Sequence, residues 1–82
     1  MQVVLYTRKT CPLCEEVKEM LTALQHDLNF SVIEKDIYSD ERLLEQFHLM
    51  IPVIEIDGEV VMYGKIQREN IRKRLLYKNA IR

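Results

Sequence analysis

The sequence predicts an α/β fold of order βαβαββα, and three observations carry that prediction. Apolar, β-branched runs alternate with segments whose apolar residues recur at helical spacing. A proline stands at a helix start directly behind the first strand. A tight-turn dipeptide joins the last two strands, so the sheet becomes antiparallel there. With 82 residues the chain suits one domain, residues 1–82, and any function must fit on one small surface.

Gln2 to Thr7 is nearly all apolar, the pattern of a strand covered on both faces rather than one alternating between core and water. Thr10-Cys11-Pro12 then marks a helix start, with proline where its missing N–H costs nothing. Leu13, Val17, Met20, Leu21, Leu24 and Leu28 form one apolar stripe on that helix, and Glu15, Glu16 and Glu19 lie in its first turns, where the dipole favours negative charge. Residues 30–36 read as a second strand, and residues 40–47, with Leu43, Leu44 and Phe47 at helical spacing, as a short second helix. Residues 52–57 and 59–63 flank Asp57-Gly58 and read as a hairpin. A last helix over about residues 67–78 turns Ile71, Leu75 and the stem of Tyr77 or Lys78 inward.

Apolar residues at 48% and charged residues at 30% exclude a disordered or collagen-like chain. No apolar stretch is longer than the four residues of Val3 to Tyr6, far short of the roughly 18 residues of a membrane span. The start lacks the basic and apolar regions of a secretory signal, so a cytoplasmic location is expected. Charge is uneven: from Lys65 onward seven basic residues face one acid, a net of +6, whereas residues 1–64 hold five basic residues and twelve acids, a net of −7. The basic end suits solvent or an acidic partner; without aromatic interleaving it does not predict nucleic-acid binding.

Cys11-Pro12-Leu13-Cys14 lies between the first strand and the first helix, where free backbone N–H groups and the helix dipole favour an anion. That anion would be a thiolate, since cysteines so placed titrate at roughly 3.5–7.5 instead of about 8.5. Cys11 is expected to be the exposed nucleophile and Cys14, three residues on along the same face, the more buried resolving thiol. Arg8 and Lys9 add positive charge beside the pair. The same spacing also occurs as half of a zinc site, or as thiolates holding a copper ion or an iron–sulfur cluster between subunits, and that binding module is the alternative reading. His26 and His48 show no ligand-like spacing to the pair and are assigned structural roles, as is Met50; no metal or other cofactor is expected. Pro52, taken from the residues alone, is a trans proline opening a strand.

Leu5 through Cys14, together with Ile51-Pro52-Val53, resembles the glutaredoxin branch of the thioredoxin superfamily along nearly the whole chain. The resemblance implies a four-stranded mixed sheet flanked by three helices, and a cis peptide between Ile51 and Pro52 that faces the cysteines across a cleft. It also implies a substrate surface formed by Arg8, Pro12, Leu13, Ile51 and Pro52, in which the Ile51 backbone pairs with a substrate and Arg8 meets a carboxylate of glutathione. Two departures set this chain apart: Leu13 stands where the family usually has an aromatic residue, and Gly64-Lys65-Ile66-Gln67-Arg68 replaces a double glycine followed by an acidic pair. The expected activity is therefore dithiol reduction of protein or small-molecule disulfides by a monomer. Its partners would be disulfide-bearing proteins and a reductase, with glutathione or a thioredoxin-reductase-type system as the external electron source.

Overall fold

The computed structural model describes residues 1–80, with side chains through Tyr77. Its elements are β1 (Gln2–Thr7), α1 (Pro12–Leu24), β2 (Ser31–Asp36), a 3-10 turn (Ile37–Ser39), α2 (Glu41–Phe47), β3 (Val53–Ile56), β4 (Glu59–Tyr63) and α3 (Arg68–Ala80). The sheet order is β2-β1-β3-β4, with β1 parallel to β2 and antiparallel to β3, and β3 antiparallel to β4. This is the expected βαβαββα chain folded as a mixed four-stranded sheet with three helices.

The continuous apolar run of β1 follows from its central place. Side chains alternate faces along a strand, so Val3 and Leu5 pack against Val17, Leu21 and Leu24 of α1 and Ile71 and Leu75 of α3. Val4 and Tyr6 point the other way, against Ile37, Phe47 and Val53, with Leu43 and Leu44 of α2 beside them. Both faces are thus covered, α1 and α3 on one and α2 on the other. β2 lies at an edge and reads mixed: Val32 packs on the core while Ile33 is exposed.

Several boundaries shift for identifiable reasons. α1 ends at Leu24, yet the N–H of Leu28 still donates to the Leu24 carbonyl at 2.9 Å, so Leu28 continues the stripe from a turn. Asp40 stands outside α2 as its cap, its carboxylate accepting the Arg42 N–H at 2.8 Å. The unexpected 3-10 turn is capped in the same way by Asp36, which accepts the Tyr38 N–H at 2.9 Å, and it buries Ile37. Tyr77 departs from expectation: it is 61% exposed, because two residues beyond the buried Leu75 amount to about 200° around a helix. The Lys78 side chain lies outside the described residues. Asp57 (φ 47°) and Gly58 (φ 86°) both take the left-handed conformation that a two-residue turn of this hand requires. Asp57 also fastens the turn to β1, since its carboxylate accepts the Gln2 N–H at 3.0 Å.

Tyr6 gives the fold an alkaline limit. Its hydroxyl donates to Glu55 Oε2 at 3.1 Å, and its ring lies 4.6 Å from that of Phe47, centroid to centroid. Burial first, then the hydrogen bond to Glu55 and its negative charge, hold the phenol above its ordinary 10.0. A raised folded-state pKa contributes stability that is complete below about pH 10 and is lost as pH rises through the folded value. The thermal midpoint is therefore expected to fall more steeply as pH rises above about 10 in the wild type than in Tyr6→Phe. Parallel melting curves for the two proteins across that range would refute this.

Candidate active site

The end of β1 and the start of β3 meet at one edge of the sheet. Tyr6 pairs with Val53, and the same register continued by one step sets Thr7 opposite Pro52. The loop of residues 8–11 and the Ile51-Pro52 peptide bond, which is cis, therefore share one end of the molecule. Thr10 turns the chain from strand to helix in the left-handed region (φ 57°), which residues other than glycine seldom adopt. Gly64 (φ 78°), at the exit of β4, closes the other side: its N–H donates to the carbonyls of Pro52 (2.8 Å) and Met50 (3.0 Å). Sequence reasoning met Gly64 only as a departure from a family pattern. Its position one residue past a strand, beside a proline two strands away in sequence, was the available signal.

Cys11 is the N-cap of α1, with extended backbone, and Pro12 opens the helix. The Cys11 Sγ accepts the Cys14 N–H at 3.2 Å, and its carbonyl accepts the Glu15 N–H at 3.1 Å. Cys11 and Cys14 form a disulfide with Cα atoms 5.2 Å apart. The expected exposure of Cys11 is not met in this oxidised form: Cys11 is 7% exposed and Cys14 3%. The Cys11 sulfur is held by its bond to the buried Cys14 and by the Cys14 N–H. Pro12 is exposed, Leu13 and Ile51 are half-buried, and Pro52 is buried. Arg8 is exposed on the loop and, with Thr7 and Lys9, borders a depression of about 330 Å³ whose other walls are the carboxylates Glu15, Glu34 and Asp36. His26 and His48 lie exposed at the ends of α1 and α2, the His48 ring 3.1 Å from the Leu44 carbonyl. Among the described residues no three His, Cys, Asp or Glu side chains gather in a way that could hold a metal ion, and no helix is long and apolar enough to cross a membrane.

A mixed four-stranded sheet between helices, a C-x-x-C disulfide at the mouth of the first helix and a cis-proline loop at the same sheet end define a protein of the thioredoxin-like fold. The family model described as Glutaredoxin-like domain (DUF836) matches residues 2–76. The chain belongs to that glutaredoxin-like family. Among solved structures it is similar to protein XcR50 from X. campestris, at 25% identity over 92% of this chain and 96% of that one, with a TM-score of 0.72. The thioredoxin-like protein BC3987 is 33% identical over 87% of this chain and 96% of its own, with a TM-score of 0.59. A glutaredoxin from Archaeoglobus fulgidus shares the fold at 24% identity, over 90% of this chain and 84% of that one, with a TM-score of 0.58.

Proposed function

We propose that the protein is a dithiol thiol–disulfide oxidoreductase that reduces disulfides of other proteins. The Cys11 thiolate attacks one sulfur of the substrate disulfide and expels the other as a thiolate, leaving a mixed disulfide. Cys14, losing its proton to solvent, then attacks the Cys11 Sγ and expels the second substrate sulfur. The substrate gains two electrons and two protons as dithiol, and the enzyme is left with the Cys11–Cys14 bridge, which an external dithiol or glutathione must open. Arg8, Pro12, Leu13, Ile51 and Pro52 form the surface on which the substrate chain is seated. A cytoplasmic setting suits this cycle, because reductants there return the pair to thiols.

The observation that carries the reading is the cap: the Cys11 sulfur occupies the anion position of α1 and already accepts the Cys14 N–H. A sulfur held there is stabilised as thiolate once the bridge opens. Absorbance titration of the reduced protein is expected to place the Cys11 midpoint clearly below the roughly 8.5 of a free cysteine. A midpoint above about 8 would remove the basis for naming Cys11 the nucleophile.

A further inference from the structure

Beside the cysteine site, β4 and α3 flank an open groove of about 360 Å³. Lys65, Lys73 and Arg74 supply its charge, Gln67 and Asn70 add amide groups, Met62 contributes apolar surface, and no carboxylate lines it. The ion pairs available to these cations are long and exposed: Lys65 to Glu16 at 3.9 Å and Arg74 to Glu59 at 4.0 Å. Lys73 makes none among the described residues. The Arg74 side chain is 43% exposed in the groove wall, so its guanidinium is open to an acceptor arriving from outside the fold. The groove begins where the redox site ends, since Lys65 follows Gly64, whose N–H is bonded to Pro52.

We propose that this groove is a second recognition site, which takes an acidic segment flanking the target cysteine of a protein substrate. The inference rests on the oxidoreductase reading and names its substrate class. A chain seated along Ile51 and bonded to Cys11 leaves the site beside Lys65, where carboxylates meet three cations and two amides. The net −7 of residues 1–64 repels such a segment from the rest of the molecule, so the charge distribution also orients it.

The test uses two fluorescently labelled peptide disulfides that differ only in two flanking residues, Asp-Glu in one and Asn-Gln in the other. In single-turnover reduction by the full-length reduced protein, the acidic peptide is expected to react roughly 5- to 20-fold faster at low salt, with the gap closing near 1 M salt. In the double variant Lys65→Gln/Lys73→Gln, which leaves Arg74, the ratio is expected to fall to about twofold or less. Equal rates in the wild type, or a preference that survives undiminished in the double variant, overturn the proposal. A second measurement separates it from the reading beneath it: the acidic peptide with serines in place of its cysteines is titrated into the protein and backbone amide shifts are followed by NMR. Shifts along β4 and the first turns of α3 support the groove even if neither disulfide is reduced, an outcome that would refute the oxidoreductase reading alone. No shifts there, or shifts elsewhere, refute the groove.

Discussion

Cys11→Ser is expected to reduce no disulfide above the rate without protein, whereas Cys14→Ser is expected to accumulate mixed disulfides that it cannot release. The asymmetry follows from the geometry. Cys11 Sγ is the capped sulfur, and a serine hydroxyl there accepts the Cys14 N–H equally well but forms no bond to sulfur. In Cys14→Ser the donor to Cys11 is a backbone N–H and survives the substitution, so the nucleophile keeps its stabilisation and only the second attack is lost. Cys14 is 3% exposed and serine is of similar size, so a melting curve will separate loss of chemistry from loss of fold. Intact-mass measurement after incubation with a protein disulfide reads the outcome directly as a stable adduct on Cys11. Full turnover by Cys14→Ser would overturn the dithiol mechanism and favour a monothiol route through glutathione.

How much of this architecture is legible from residues alone depends on whether a feature is local. β1, the Cys11-Pro12 helix start and the Asp57-Gly58 hairpin were legible because each is set by neighbours in the chain: an unbroken β-branched run, a ring-locked φ, a dipeptide that tolerates positive φ. The 3-10 turn at Ile37 carries no periodicity, and its signal is an Asp36 side chain that a strand reading absorbs. Helix spacing fixed the face that Leu28 shares with Leu24 but not the end of the helix, since a following turn preserves both the contact and the hydrogen bond. The cis state of Ile51-Pro52 was reached through family resemblance, because the residues themselves allow a trans proline at a strand start equally well. The burial of Cys11 and the groove between β4 and α3 were not legible. The exposure of Cys11 depends on whether its sulfur is bonded to Cys14, and the groove on how two successive elements pack; spacing within one element is silent on both.

Glutathione is expected to serve this protein roughly 10- to 100-fold less well than it serves a dithiol glutaredoxin. Where the family pattern has an acidic pair to receive the glutathione ammonium, this chain has Gln67 and Arg68, and Lys65 stands just before them, all three exposed. The carboxylate within reach of Lys65 is Glu16 at 3.9 Å, with both side chains more than half exposed, and such a pair offsets little of the positive field. On the other side of the site Arg8 shares its depression with Glu15, Glu34 and Asp36, which weaken its hold on a tripeptide carboxylate. A lost charge-assisted hydrogen bond costs about 1.5–3 kcal/mol, and each 1.4 kcal/mol is about a factor of ten in affinity. The measurement is a steady-state assay on a glutathione mixed disulfide, coupled to glutathione reductase and followed by NADPH consumption. The double variant Gln67→Asp/Arg68→Asp is expected to raise that rate by restoring the acceptors, chiefly through KM. A wild-type rate equal to that of a dithiol glutaredoxin would show that the groove's positive charge does not discriminate against the tripeptide. Glutathione would then become the natural reductant of the Cys11–Cys14 bridge.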